Sequence, residues 1–199
     1  MSVSVAAIIL AAGQSKRMKG RNKMLVDVGG RPMIRVVAEM VLASEVDLVV
    51  VVTGFEAEAV TAALSGLDLS FVYNSAFEAG MASSLKAGVA ALPDEVAGAL
   101  ICLGDMPDVK EDDIRHIVRV FDESNGVQIC IPVHEGRRGN PVLLPRWLFA
   151  EVEDISGDTG ARSIVAAHEG MVMEVPVSGS GIHHDMDTRG DLERKKPGL

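Results

Sequence analysis

Cysteine, aromatic residues and positive charge are all scarce in this chain. Of its 199 residues two are cysteines and 4% are aromatic, and the formal net charge is −9. Phosphate backbones and anionic membrane surfaces repel an acidic chain, so we expect neither a nucleic-acid nor a membrane partner. Cys102 and Cys130 each lie within an apolar run, which predicts reduced core thiols in a reducing compartment and argues against a disulfide framework.

Long hydrophobic segments are also lacking. No apolar run reaches the roughly 18–20 residues that a membrane-spanning helix needs. The apolar stretch 3–12 follows no basic segment and leads into a polar loop, unlike a secretory signal peptide. The sequence therefore predicts a soluble, cytoplasmic protein.

Short β-branched runs alternate with segments of helical periodicity. The runs 5–10, 48–53, 69–73 and 97–103 predict strands, and the segments 32–44, 56–64, 81–92 and 110–123 predict helices. This alternation favours a mostly parallel sheet with helices on both faces. A hairpin formed by 127–133 and 141–144, a helix at 161–168 and a strand at 171–177 follow, which would make the sheet mixed. No linker interrupts the chain, so we expect a single domain over residues 1–199.

The loop after the first predicted strand has the composition of a phosphate site. Ligands of open α/β sheets bind beyond the carboxyl ends of the strands. The small residues 11–13 permit close approach of the backbone to a ligand, and N–H groups there can face phosphate oxygens. Five cations follow in an otherwise acidic chain: Lys16, Arg17, Lys19, Arg21 and Lys23. The alternative is a solvated basic loop; the spacing matches neither a Walker loop nor a dinucleotide fingerprint.

Two further strand-end loops carry candidate ligand groups. Ser83 and Ser84 follow Gly80 at a helix start, which suits an anion or the polar edge of a base, although an ordinary capped helix would have the same pattern. Asp105 lies between Gly104 and Pro107 at the end of a buried strand. Such a carboxylate suits Mg²⁺, and its alternative role is turn formation.

The later loops give weaker signals. In extended chain Asp185 and Asp187 would point to one side, and one of them could complete a metal site with Asp105. A zinc or iron site at His183 and His184 is disfavoured, because neighbouring side chains of an extended segment face opposite ways. The loop 136–141 is basic and could hold an acceptor phosphate. The loop 157–162 could also carry site residues, but its Asp and Thr could simply cap the helix that follows.

Taken in order, these motifs resemble the signature of the MobA-like nucleotidyltransferases. The matching motifs are Leu10-Ala11-Ala12-Gly13-x-Ser15-x-Arg17-Met18, Lys23, Gly30-Arg31-Pro32, Leu103-Gly104-Asp105-Met106-Pro107, Gly139-Asn140-Pro141-Val142 and Asp185-Met186-Asp187-Thr188. The resemblance runs from about residue 5 to residue 192, and the full set is most similar to the molybdenum cofactor cytidylyltransferases.

The resemblance implies a Rossmann-like nucleotidyltransferase fold of the nucleotide-diphospho-sugar transferase type. It also implies transfer of CMP from CTP to the phosphate of molybdopterin or molybdenum cofactor, with Mg²⁺ as cofactor, release of pyrophosphate, and a client molybdoenzyme as a further partner. The nucleotide would lie on Leu10, Ala11, Ala12, Gly13, Ser15, Arg17, Lys23, Gly80, Ser83 and Ser84. Catalysis would use Arg17, Lys23 and Asp105, the metal would bind Asp105 and Asp187, and the pterin acceptor would face Asn140 and Asp158.

The identity of the base depends on opposing features. By their resemblance to the cytidylyltransferases, Ala12, the Leu103-Gly104 pair before Asp105 and the aspartates at 185 and 187 favour CTP, whereas the spacing between Arg17 and Lys23 resembles that of the guanylyltransferases. The alternatives are therefore a guanylyltransferase on the same acceptor and a nucleotidyltransferase for another small phosphorylated acceptor, such as a sugar or polyol phosphate. A non-enzymatic alternative is an accessory protein of molybdoenzyme maturation that binds nucleotide or cofactor.

Overall fold

The computed structural model describes residues 3–15 and 22–186 of the chain. Its strands are β1 (Val5–Leu10), β2 (Asp27–Val28), β3 (Arg31–Pro32), β4 (Leu48–Thr53), β5 (Ser70–Tyr73), β6 (Gly98–Leu103), β7 (Ile129–His134), β8 (Arg137–Arg138), β9 (Val142–Pro145) and β10 (Val172–Pro176). Its α-helices are α1 (Met33–Ala43), α2 (Ala57–Ala63), α3 (Met81–Ala90), α4 (Glu111–Glu123), α5 (Phe149–Val152) and α6 (Arg162–Ala167). Arg17 and Asp187 lie outside the described residues.

Eight of these strands form one mixed sheet in the order β10-β7-β9-β6-β1-β4-β5, with β8 paired to β7, and β2 and β3 pair in a separate two-stranded sheet. The neighbours β6, β1, β4 and β5 are all parallel, whereas β9 runs antiparallel to both β6 and β7. In register, Leu10 lies opposite Val52 on one side and Leu103 on the other. The loops that leave β1 and β6 therefore start level with each other, at the same edge of the sheet.

Alternate residues of β1 face two separate cores. Val5, Ala7 and Ile9 pack in the core that includes α1, α2 and α4, and Ala6 and Ile8 pack in the core that includes α3, α5 and α6. All six residues of β1 are buried. A strand covered on both faces needs a continuous apolar run, because neither face meets water. This explains the unbroken hydrophobic sequence.

Helix α3 lies unusually close to the sheet. A Cβ atom on Gly88 would lie 2.5 Å from Cγ2 of Ile8 and 3.1 Å from Cγ2 of Val52. Glycine at this position permits the close approach of the helix to β1 and β4. The last turn of α3 therefore packs directly against the two strands.

The structure confirms the α/β class, the mostly parallel mixed sheet and the helices on both faces. The strands predicted at 5–10 and 48–53 have those bounds in the structure. The predicted hairpin was wrong in one respect: the tight turn pairs β7 with β8, and β9 makes its longer ladder with β6. The elements β2, β3, β8 and α5 were not predicted, because two to four residues are too few to show a periodicity. Within the described ranges, no helix has the length and apolar character needed to span a bilayer.

Candidate active site

A cleft of about 560 Å³ opens at the carboxyl ends of β1 and β6. Such a position beyond the strand ends is the usual ligand site of open α/β sheets. Its lining consists of Leu10, Ala12, Gly13, Gln14, Ser15, Lys23, Met24, Phe77, Glu78, Ala79, Gly80, Met81, Ser84, Leu103, Asp105, Asp158, Arg162 and Asp185. The sequence-predicted residues Ala11, Ser83 and Asn140 are not part of this lining.

The loop after β1 is held by backbone hydrogen bonds. The N–H of Ala11 donates to the Val52 carbonyl at 2.9 Å, and the N–H of Phe55 donates to the Ala12 carbonyl at 3.2 Å. The N–H of Ala11 is thus used by the sheet and does not face the cleft as a phosphate donor. A Cβ atom on Gly13 would meet no atom of residues 3–15 and 22–186 within 4 Å, so these residues leave the space around Gly13 open to a ligand.

Ser15 and Asn22 bracket the part of this loop that lies outside the described residues. The Ser15 hydroxyl accepts a hydrogen bond from the N–H of Lys23 at 2.9 Å. The buried Asn22 side chain accepts from the N–H of Met24 at 3.0 Å and donates to the Phe55 carbonyl at 3.0 Å. These bonds fix the start of the short turn that carries Lys23. Ser15 therefore closes the loop in addition to lining the cleft.

An ion pair between Lys23 and Asp105 lies in the cleft. Lys23 Nζ donates to Asp105 Oδ2 at 2.5 Å, and the two side chains are only 13% and 18% exposed. Partial removal from water strengthens the attraction relative to a surface pair. The sequence analysis predicted that Lys23 binds phosphate and that Asp105 binds a metal ion. In the structure, the two side chains form an ion pair with each other.

Close packing behind Asp105 explains its position. A Cβ atom on Gly104 would lie 2.8 Å from Met24 Sδ and 2.9 Å from the Leu10 carbonyl oxygen, so a larger residue would push the loop away. The N–H of Gly104 donates to that same carbonyl at 3.1 Å. The loop after β6 is thereby bound to the end of β1, and Asp105 faces the cleft.

The return segment 178–186 brings a second carboxylate. The N–H of Met186 donates to the backbone carbonyl of Asp105 at 2.9 Å, and the adjacent Asp185 lines the cleft. Within residues 3–15 and 22–186, no group of three or more His, Cys, Asp and Glu side chains is arranged to hold a metal. A pair of carboxylates nevertheless fits Mg²⁺, which takes one or two carboxylates together with substrate phosphates and water.

The histidines beside Asp185 make other contacts. His183 Nε2 lies 3.0 Å from the Arg137 carbonyl oxygen, and His184 Nδ1 lies 3.8 Å from Asp108 Oδ2. Neither histidine lines the cleft. The structure gives no support to a zinc or iron site here.

The predicted serine pair is held by a buried asparagine. Asn74 Nδ2 donates to the hydroxyl oxygens of Ser83 and Ser84 at 2.8 and 3.1 Å, and its Oδ1 accepts from the N–H of Ala76 at 2.9 Å. Ser83 also lies 2.8 Å from the Gly80 carbonyl oxygen, so its hydroxyl stabilises the turn. Of the two serines, only Ser84 reaches the cleft lining.

The two residues predicted to bind the acceptor differ in position. Asp158 lines the cleft, and its Oδ1 accepts from the N–H of Met81 at 3.1 Å. Asn140 lies away from the cleft lining, beside a small void bordered by Val37 and Met40, and its N–H donates to the Ile182 carbonyl at 2.9 Å. Binding of the acceptor by Asn140 therefore stays a prediction without support from the shape of this cleft.

Comparison with known proteins decides the family. Residues 7–172 match the MobA-like NTP transferase domain. The chain belongs to the MobA-like NTP transferase family. The predicted family is thus confirmed.

Relatives of this MobA-like transferase carry different functional names. It is 29% identical to the nicotine blue oxidoreductase of Paenarthrobacter nicotinovorans, over 96% of this chain and 95% of that protein. It is 36% identical to a protein of Haloferax mediterranei that carries the name molybdenum cofactor guanylyltransferase, over 61% of this chain and 57% of that protein.

Solved structures agree on the nucleotidyltransferase fold. A Methanothermobacter nucleotidyl transferase superposes with a TM-score of 0.83 at 25% identity, covering 96% of this chain and 95% of the other. Rv0371c of Mycobacterium tuberculosis superposes with a TM-score of 0.82 at 25% identity, covering 98% of each chain.

The cleft also contains polar and charged residues that the sequence analysis did not single out. Gln14 Nε2 donates to Glu78 Oε1 at 2.6 Å and so ties the loop after β1 to the turn before α3. Arg162, at the start of α6, adds a second cation to the lining. No local pattern marks these residues, because the fold brings them together from separate parts of the chain.

The two cysteines of this MobA-like chain lie in its core. Cys102 and Cys130 are free and buried, as the sequence predicted. Burial raises the pKa of each thiol to about 12, because the thiolate would lose its hydration. At neutral pH both remain protonated, so neither is a candidate nucleophile.

Proposed function

We propose that this MobA-like protein transfers CMP from CTP to the phosphate of molybdopterin or molybdenum cofactor and releases pyrophosphate. The observation that carries the proposal is the Lys23–Asp105 pair within the cleft. It combines a cation suited to phosphate with a carboxylate suited to a divalent metal, in a family of NTP transferases. In the reaction, an oxygen of the acceptor phosphate bonds to the α-phosphorus, and the bond from that phosphorus to the β-bridging oxygen breaks.

The chain's own residues would reduce the repulsion between two anionic substrates. The acceptor phosphate is already ionised, so the step needs no general base, and positioning with charge stabilisation accounts for most of the catalysis. Lys23 would contact the triphosphate and favour departure of pyrophosphate, together with Arg17 from outside the described residues. The loop around Gly13 leaves room for the nucleotide.

Mg²⁺ is the proposed cofactor. Asp105 would hold it with Asp187, as the family resemblance implies, and Asp185 is a further carboxylate in the cleft lining. The bound ion would supply positive charge to the phosphate oxygens.

The relatives support two other candidates. The Haloferax relative that is named a guanylyltransferase favours GTP as the donor, against the CTP that Ala12 suggests. The Paenarthrobacter relative aligns over nearly the whole chain and is named an oxidoreductase, which favours a redox reaction as the second candidate.

The test is pyrophosphate release from CTP, GTP, ATP and UTP in the presence of Mg²⁺ and molybdopterin or its molybdenum-loaded form. Preferential release from CTP supports the proposal. Preferential release from GTP would mean that the protein catalyses the same reaction with GTP as the donor. A parallel assay offers nicotine blue, the dye in the name of the Paenarthrobacter relative, together with a reduced electron donor. Reduction of the dye with matching oxidation of the donor, without pyrophosphate release, would replace the transferase by the redox candidate. Nucleotide binding with neither activity would favour an accessory protein.

A further inference from the structure

The loop 157–158 and the N-terminus of α3 form one hydrogen-bonded unit. The N–H of Met81 donates to Asp158 Oδ1 at 3.1 Å, and the N–H of Ala82 donates to the Gly157 carbonyl at 2.9 Å. The first N–H groups of a helix lack partners within the helix itself. Here a loop 77 residues later in the sequence supplies them.

The start of α3 and the loop 157–160 pack closely where these hydrogen bonds form. A Cβ atom on Gly80 would lie 2.6 Å from the Gly157 carbonyl oxygen and 2.7 Å from Asp158 Oδ1, and Gly80 has a φ of +101°. On the other side, a Cβ atom on Gly160 would lie 2.7 Å from Met81 Sδ. Gly80 is therefore required for contact between the loop and the helix, because it meets backbone, whereas the flexible Met81 side chain can move away from a larger residue at position 160.

This contact joins two walls of the cleft. Gly80, Met81 and Ser84 line the cleft from the start of α3, while Asp158 and Arg162 line it from the later loop. The N–H groups of Met81 and Ala82 are bound by the protein itself, so they are not free donors for a phosphate. The start of α3 thus contributes a shaped wall to the cleft.

We propose that Asp158 is a positioning residue, which fixes the N-terminus of α3 against the loop that carries Arg162. Asp158 acts because its Oδ1 atom accepts a hydrogen bond from α3. It therefore affects the substrates only indirectly, through the part of the cleft wall that α3 forms. The family resemblance would instead place Asp158 in direct contact with the acceptor. The kinetic part of this inference rests on the proposed nucleotidyl transfer, and its structural part is independent of any substrate.

Two variants separate a hydrogen-bond role from a charge role. Asp158→Asn removes the charge and keeps the oxygen that accepts the hydrogen bond, whereas Asp158→Ala removes both. We expect Asp158→Ala to weaken nucleotide binding about five- to tenfold, the effect of losing one such hydrogen bond, and Asp158→Asn to bind almost as the unmodified protein does. Asp154→Ala is the matched control, because Asp154 is exposed on the preceding turn and lies outside the cleft lining.

Amide hydrogen exchange in the ligand-free protein measures the contact itself. Met81 and Ala82 should exchange faster in Asp158→Ala but not in Asp158→Asn or Asp154→Ala. Gly80→Ala should also accelerate them by forcing the loop away, whereas Gly170→Ala, with nothing within 4 Å of its Cβ position, should not.

The outcomes distinguish this inference from the proposed function. Unchanged exchange in Asp158→Ala would overturn the positioning role. Equal loss of nucleotide binding in Asp158→Asn and Asp158→Ala would also overturn it, because a direct charge contact would then be required. If the unmodified protein binds neither CTP nor GTP by calorimetry, the proposed function fails, and the exchange data still decide whether Asp158 fixes α3.

Discussion

The loops after β1 and β6 and the return segment 178–186 all reach the cleft, but they are held in different ways. The strand-end loops are bound to neighbouring strands: Ala11 to the Val52 carbonyl and Gly104 to the Leu10 carbonyl. The return segment is bound to other loops, through hydrogen bonds from Asn140 to Ile182 and from Met186 to the Asp105 carbonyl.

The difference separates residues that the sheet positions from residues that loop packing positions. In the return segment, a Cβ atom on Gly181 would overlap the Asp108 carbonyl, and in the loop that the segment packs against, one on Gly139 would overlap the Ile182 carbonyl. A substitution of a side chain that faces the cleft from a strand-end loop, such as Asp105, should therefore affect the chemistry with little effect on folding. A substitution at these glycines should affect stability and activity together.

The largest effect is expected at Asp105. Asp105→Asn should lower the rate of pyrophosphate release about 10²–10³-fold, because a positioned charge is lost from the reacting site. The melting temperature should change little, because the packing of Gly104 stays intact. Asp112→Asn, whose side chain is 83% exposed on α4, is the control. A rate within threefold of the unmodified protein would remove Asp105 from the site.

Lys23 should affect binding more than turnover. Lys23→Met removes a charge-assisted contact, and we expect the KM for the nucleotide to rise about 10- to 100-fold. Initial rates over a range of nucleotide concentrations measure this change, with Arg119→Met on the exposed side of α4 as the control. An unaltered KM would mean that Lys23 does not contact the triphosphate.

Gly181 tests the packing of the loops. Gly181→Ala should lower the free energy of unfolding by about 1–3 kcal/mol, because the methyl group forces the return segment away from the Asp108 carbonyl. Activity should fall as well, since Asp185 moves with the segment. Urea unfolding and pyrophosphate release should be compared with Gly170→Ala. An unchanged free energy of unfolding in Gly181→Ala would show that the return segment can shift without destabilising the protein.

One buried thiol lies in the parallel part of the sheet and the other lies next to β9. The pH dependence of stability that each thiol causes therefore compares these two regions. Cys102 lies in β6 and Cys130 in β7, and burial raises both pKa values from 9.0 to about 12. Between pH 9 and pH 12 the unfolded chain loses these protons while the folded chain keeps them, so stability falls as the pH rises. The maximum slope is about 1.4 kcal/mol per pH unit for each thiol.

Urea unfolding under reducing conditions at several pH values above 9 measures this slope. Cys102→Ala and Cys130→Ala should each make it shallower relative to the unmodified protein, whatever their effect at pH 8. Slopes that stay parallel in both variants would contradict protonated thiols in the folded state.

Much of the sheet side of the site was predictable from the sequence, because its signals are local. The apolar run 5–10 followed by small residues located the end of β1, and the Gly104–Asp105 pair located the end of β6. In contrast, the contact of Asp158 with Met81 was not predictable, since no periodicity relates residues 77 positions apart. The sequence suggested a cap on the helix after Asp158, but α6 has no side-chain cap and the aspartate binds α3.

The antiparallel insertion of β9 sets an order in which the sheet can be completed on the ribosome. Strands β6, β1, β4 and β5 lie within residues 5–103, so a nascent chain of that length contains every strand of the parallel part of the sheet. Strand β7 emerges next, yet its place in the sheet is separated from β6 by β9, which is made later. Until residues 142–145 leave the exit tunnel, the edge of β6 is open and β7 has only the short β8 as a partner. Unpaired strand edges are prone to wrong association, so this stage of synthesis leaves the sheet with an edge that β9 later covers.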